Sequence, residues 1–340
     1  MSKFDKEQIL RTSGVNLTTT ASYDHEAVRA LVADIAAYVT RDPVDAQIQS
    51  FDYATRTFSF TESQPGVTLD QDLLYERVTA ALDRWESGVT VTVDPIVTEP
   101  AVTKDELVAS FGLVAAYTTE TTNDSNRNTN IDLACQAING TALMPGETFS
   151  FNQATGQRTT EKGYKSAGAI AAGQSIEEVG GGICQVSSTL FNAVARANLE
   201  IVSRSPHAWP STYVNIGEDA TVNWPNLDFQ FKNNTQSPIF IITYYKNRRM
   251  SAEIWGMSLG EGVTIDLQST IIKTIDPPSE VKYELNTDLP YGTEKTTVKA
   301  RTGYVVETEK VWYKDGQETR RELLHTSNYR AYQQVIEYNY

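Results

Sequence analysis

The segment Gly180-Gly181-Gly182-Ile183-Cys184-Gln185-Val186-Ser187-Ser188-Thr189-Leu190 sets one cysteine between a glycine run and an apolar-periodic stretch. Val186, Leu190, Phe191, Val194 and Ala197 recur at helical spacing, so a helix of about four turns follows the cysteine. A helix N-terminus carries unpaired N–H groups and a partial positive charge, and both favour thiolate over thiol. Three glycines let the backbone come close to a bound carbonyl and turn amides towards a developing oxyanion. A cysteine placed in this way is a candidate nucleophile.

Such a nucleophile wants a base, and Arg204-Ser205-Pro206-His207 offers one. A helix over 185–198 is about 21 Å long at ~1.5 Å per residue. The return from 199 to 207 spans up to about 30 Å when extended. An antiparallel return therefore delivers His207 beside Cys184. Asp219 is a candidate to fix the imidazole tautomer as the third member of a triad, and Asp228 competes for that role. The plainer readings stand beside this one. A cysteine before a helix is often a small buried hydrophobe, Cys135 and Cys184 offer a disulfide, and His207 beside Pro206 and Trp209 reads equally as a packed loop residue. Cys135 falls on the apolar face of its own helix, as an inert thiol would. Ser187 and Ser188 read as helix-surface groups.

Composition narrows the classes. The chain has 340 residues, 29 Lys and Arg against 43 Asp and Glu, and a formal net charge of −14. That length suggests two or three domains, and so acidic a surface is a poor match to nucleic acid. Two cysteines are too few for a disulfide scaffold. The three histidines, His25, His207 and His325, lie far apart without zincin spacing, and neither a P-loop nor a GxGxxG fingerprint is present. No metal and no cofactor is expected. The opening MSKFDKEQIL lacks the apolar core of an export signal, which leaves a cytosolic start or a start trimmed of its signal. No run approaches the ~18 apolar residues of a membrane helix.

Periodicity supplies the elements that must hold the site. Val28, Leu31, Val32, Ile35 and Val39 predict a helix capped by Asp24, and Leu74, Val78, Ala81, Leu82 and Trp85 predict another after Asp70. His25 reads as solvated. Between them, 48–51 and 57–60 alternate as strands. Residues 119–129 read as a polar connector or as a loop inside the next domain, followed by a helix on Ile131, Ala134 and Ile138 that stops at Asn139-Gly140. Residues 154–182 show no period and read as a long working loop. Strands are expected at 199–202, 220–224, 227–232, 239–245 and 251–255, a linker over 263–280, and an all-β tail with a hairpin at Asp315-Gly316 and no catalytic residues.

At these residues the sequence resembles the VanW family of cell-envelope proteins. The likeness runs through Asn126-Arg127, Asn130-Ile131, Ile138-Asn139-Gly140, Pro145 to Asn152, Gly163-Tyr164, GGGICQVSSTLFNA at 180–193, His207, Tyr213-Val214, Gly217, Asp219-Ala220 and Asp228 to Asn233. Residues 20–107 are similar to the peptidoglycan-binding domain that commonly precedes VanW. Residues 280–340 are similar to the small β module called G-five. The implied fold class is a multidomain α+β chain. It comprises a small α+β peptidoglycan-binding domain at 20–110, an α+β VanW domain at 111–262 with a cysteine at a helix N-terminus, and an all-β G-five-like module at 263–340.

The resemblance implies an exported protein of the cell envelope of a Gram-positive-type bacterium, joined to the membrane only through an N-terminal anchor absent from this sequence. The family name derives from a glycopeptide-resistance cluster. Some VanW-domain proteins act as L,D-transpeptidases with the cysteine of the glycine-rich motif as nucleophile. By that likeness Cys184 is the nucleophile, with His207 as base and Asp219 behind it. Gly180, Gly181, Gly182, Gln185, Ser187, Arg204 and Arg158 would line the oxyanion and substrate positions. The expected partners are peptidoglycan stem peptides and glycan strands. Arg158, Lys162 and Lys165 are either contacts for stem carboxylates or solvated loop charges. Ordinary L,D-transpeptidases carry histidine before cysteine, whereas here Cys184 precedes His207. The alternatives are a non-catalytic glycan-binding surface protein and a cysteine carboxypeptidase or endopeptidase on the same stems.

Overall fold

In a computed structural model, residues 2–12, 21–85, 87–171 and 174–340 are described, and they fall into two compact units. The first comprises 1–47 and 61–105, the second 48–60 and 106–340. Within the first, Asp24 caps the helix His25–Val39 by accepting from the Glu26 and Ala27 N–H groups. Asp70 caps Gln71–Asp83 through the Leu73 N–H. Both helices exist where periodicity predicts them, but their buried stripes are narrower: Val32 and Ala36 on one, Leu74 and Ala81 on the other. Leu31, Ile35 and Trp85 are exposed. Among the described residues, no helix is long and apolar enough to cross a membrane.

The second unit is organised around the helix Ile183–Arg196. Every residue from Gln185 to Ala195 is buried. An antiparallel sheet lies against it, in the order Phe111–Glu120, Arg249–Met257, Ile239–Lys246, Thr141–Leu143. The core joins Ile131, Phe149, Phe191, Phe229, Phe231, Ile241, Met250 and Ile254, drawn from six separate stretches of the chain. Burying so many apolar side chains, each contributing roughly 1.5–3 kcal/mol, fixes where the helix must start and so where Cys184 sits. The hairpin Ile48–Phe60 belongs to this unit, with Phe51 against Phe240 and Trp255.

Several expectations are corrected. The predicted linker at 263–280 is largely a strand, Val263–Ile275, paired along Gly303–Lys314. Ile265 and Leu267 are buried while Asp266 and Gln268 face outward, an alternation present in the sequence but overshadowed by the prolines at 277 and 278. Residues 220–222 form no strand. The segment turns instead, through an Asn223–Leu227 bridge, and its neighbouring strand shrinks to Gln230–Lys232. The connector at 119–129 divides into the end of a strand at Glu120 and a helix opening at Ser125, capped by Asp124. The aperiodic stretch 154–182 contains a hairpin, Ser166–Ala171 with Gln174–Val179. The tail is all-β as expected. Asp315 and Gly316 both take positive φ (51° and 80°) in the turn between Gly303–Lys314 and Gln317–Tyr329, as a two-residue hairpin turn of the primed type demands.

Candidate active site

Gly182 precedes the central helix in the left-handed region at φ 105°, and Gly180 likewise at φ 90°. A Cβ on Gly181 would collide with the Ala167 carbonyl. This turn opens the helix so that Cys184 falls in its first turn, half-buried, with Sγ 3.5 Å from Thr221 Oγ1 and 3.4 Å from the Val222 carbonyl oxygen.

The chain leaves the helix, runs back through Glu200–Ser203 and brings His207 to the same end. Its backbone N–H donates to Asp219 Oδ2 at 2.7 Å, and ring Nδ1 pairs with the same oxygen at 2.5 Å. That leaves Nε2 for the Tyr213 hydroxyl at 3.3 Å, and His207 and Cys184 line the same cavity. Asp219 is almost wholly buried, and its other oxygen accepts from Arg204 Nη2 at 3.0 Å and from the Tyr329 hydroxyl at 2.5 Å.

The electrostatics follow from this packing. Burial pushes the Cys184 thiol up, but the hydrogen bond and positive charge of His207, with Thr221, outweigh it and hold the thiol near pH 7. Burial pulls His207 down, while Asp219 and the cysteine raise it to about 10. Burial likewise opposes ionisation of Asp219, yet His207 and Arg204 keep it at about 2. At neutral pH a substantial fraction of the thiol is therefore ionised, as a thiolate beside an imidazolium with an ionised carboxylate behind it. Cys135 differs in every respect: buried against the core, free, and pushed well up by burial.

A cavity of about 850 Å³ opens over the sulfur. Gly180, Gly181, Gly182, Gln185 and Arg158 line it together with Cys184 and His207. Two expected substrate contacts are corrected. Arg204 is buried and bonded to Asp219, the Gly217 carbonyl and Ser327 Oγ, so it holds the carboxylate in place. Ser187 and Ser188 are fully buried, not on a helix surface, and both donate to the Ala220 carbonyl, which ties the segment carrying Asp219 to the helix. Asp228 accepts from Ser150, the Asn152 N–H and Gln230, which removes it as the partner of His207.

Sequence reasoning missed the contribution of the tail. Besides Tyr329 and Ser327, the tail supplies Asn328, Arg330 and Tyr332 to the cavity lining, and the Arg330 N–H donates to the Ala208 carbonyl. A tyrosine in an alternating strand carries no local mark of a partner 110 positions away. Arg127 and Tyr213, which also line the cavity, lay within the family-like motifs but had no assigned role.

Comparison with known proteins now places the chain. Residues 126–255 match the family described as "VanW like protein", residues 2–90 the "Putative peptidoglycan binding domain", and residues 268–339 the "G5 domain". Over 275 residues the chain is 34% identical to the uncharacterized protein YoaR of Bacillus subtilis, covering 80% of this chain and 86% of that one. Over 115 residues it is 33% identical to the vancomycin B-type resistance protein VanW of Enterococcus faecalis, covering 32% and 42% respectively. A solved G5 domain of an IgA1 protease aligns with 23% of this chain and 92% of its own at 22% identity, with a TM-score of 0.16. The matches define a multidomain α+β, peptidoglycan-associated protein with a C-terminal G5 module. The chain belongs to the VanW family.

Proposed function

We propose that this protein is a cysteine acyltransferase of the L,D-transpeptidase type, acting on peptidoglycan stem peptides. The observation that carries the reading is the Cys184–His207–Asp219 line, charged in the sense a nucleophile needs, at the floor of an open cavity. The family resemblance supplies the substrate class.

In the proposed reaction the Cys184 thiolate attacks the carbonyl carbon of the diamino residue at the third position of a donor stem. The Gly180, Gly181 and Ile183 N–H groups already donate to the Lys165, Glu178 and Gly180 carbonyls, so Gly182 and Cys184 supply the amides for the oxyanion. The C–N bond to the terminal D-alanine breaks as His207 passes its Nε2 proton to the leaving amine. A thioester remains. An amine from a neighbouring stem then attacks it, gives its proton to His207 and releases the thiolate, forming a cross-link. Asp219 keeps Nδ1 protonated throughout.

The test is incubation of the protein with a tetrapeptide stem and an acceptor stem, followed by mass spectrometry. Wild type should release D-alanine and pass through a thioester on Cys184, and Cys184→Ala should do neither while remaining folded. Release of tripeptide without cross-link would identify water as the acceptor. Retention of peptidoglycan binding with no acyl-enzyme from any stem would make the protein a binding module.

A further inference from the structure

The chain carries a net charge of −14, yet the cavity over Cys184 is lined by Arg127, Arg158 and Arg330, with Glu178 as the one acidic side chain on that lining among the described residues. An acidic protein that gathers cations around one opening is arranged for an anion.

Two of these arginines are built into the glycine turn. A Cβ on Gly180 would come within 3.0 Å of Arg158 Cβ, and one on Gly182 within 2.7 Å of Arg127 Cγ. The missing side chains thus leave room for one arginine stem on either flank of the turn. Both heads are pinned by a single neutral partner: Arg158 Nη1 donates to Asn152 Oδ1 at 2.8 Å, and Arg127 Nη2 to Gln185 Oε1 at 2.9 Å. Arg127 Nε and Arg158 Nε and Nη2 are buried with no acceptor among the described residues. Neither guanidinium is paired with a carboxylate among the described residues, and Arg158 lines the same cavity as Cys184. Burying a cation beside unsatisfied donors is costly, and a planar carboxylate, which accepts from a guanidinium through two oxygens, answers both deficits.

We infer that Arg127 and Arg158 form a carboxylate clamp around the Gly180–Gly182 turn, and that it holds the free α-carboxylate of the residue leaving the scissile amide. On that account the protein trims or exchanges the last residue of a peptide and does not cut within one. The leaving-group assignment rests on the acyl-transfer reading; the clamp does not.

Two measurements separate them, both on the full chain. The first compares the rates of Cys184 alkylation by iodoacetate and iodoacetamide, a ratio in which the thiolate fraction cancels. Wild type should favour iodoacetate about tenfold more than Arg158→Gln or Arg127→Gln does, and Arg158→Lys should recover part of that preference. The second compares a tetrapeptide with a free C-terminus and its C-terminal amide, with a rise in KM of about tenfold or more expected for the amide. An iodoacetate preference unchanged by either glutamine variant overturns the clamp. Equal KM for acid and amide overturns the leaving-group assignment while acyl transfer stands. Loss of preference in the variants without turnover of either peptide supports the clamp and removes the acyl-transfer reading.

Discussion

Tyr329, at the end of the last long strand, donates its hydroxyl to Asp219 Oδ1 at 2.5 Å while accepting from the Gly217 N–H at 2.8 Å. The carboxylate that orients the imidazole is therefore held from behind by the C-terminal module. Gly217 permits the approach: it sits at φ 94°, and a Cβ there would meet Thr308 Oγ1 at 2.5 Å.

Tyr329→Phe should uncouple that support. Arg204 still donates to Asp219 Oδ1, so the chain is expected to fold with a loss of about 1–3 kcal/mol, the cost of leaving the buried Gly217 N–H without its acceptor. Turnover on stem peptides should fall by roughly tenfold through kcat, with KM little changed. Chemical denaturation and steady-state kinetics read the two effects separately. A variant indistinguishable from wild type in both would show the tail to be a passive neighbour.

The pH dependence of stability has a sign that the three titrating groups determine. Asp219, lowered to about 2, contributes stability that is present above about pH 4 and is lost as pH falls through 2. His207, raised from 6.5 to about 10, contributes fully below 6.5 and loses that contribution as pH rises towards 10. Cys184, lowered from 9 to about 7, gains over 7 to 9 as the unfolded thiol remains protonated. The last two offset each other between pH 7 and 9. Urea midpoints should be flat across that window in wild type and should decline across it in Cys184→Ala, where the gain is missing.

Gly181→Ala tests the turn itself. Its Cβ would strike the Ala167 carbonyl, so backbone must move, at a cost of roughly 1–3 kcal/mol. Gly112→Ala, where a Cβ meets nothing within 4 Å, should stay within about 0.5 kcal/mol of wild type. Equal melting temperatures for the two variants would contradict this account of the glycine run.

Much of the site was legible because it is local. Helical spacing after Cys184 located the thiol at a helix N-terminus, and chain-length arithmetic returned His207 to it. What escaped were relationships without local periodicity. Ser187 and Ser188 looked like surface groups because hydroxyls usually are, but in a helix buried on all sides they serve as fasteners for the Ala220 carbonyl. Arg204 was expected among the substrate contacts, yet its fork closes on Asp219 and Gly217. Asp228 competed with Asp219 for the triad until its three donors were known. The strand at 263–275 was hidden because burial alternates only as far as Ser269 and the residues from Thr270 to Ile275 are all exposed, where pairing with Gly303–Lys314 alone maintains it.

The most direct test of the thiolate–imidazolium pair is the pH profile of Cys184 alkylation by iodoacetamide, read by peptide mass spectrometry in wild type and His207→Gln. Cys135 is buried and its thiol pushed far up, so native labelling should report Cys184 alone. The account predicts a half-maximal rate near pH 7 in wild type and a midpoint above about 8.5, the ordinary cysteine value, once the imidazole is gone. A midpoint near 8.5 in both proteins would contradict it.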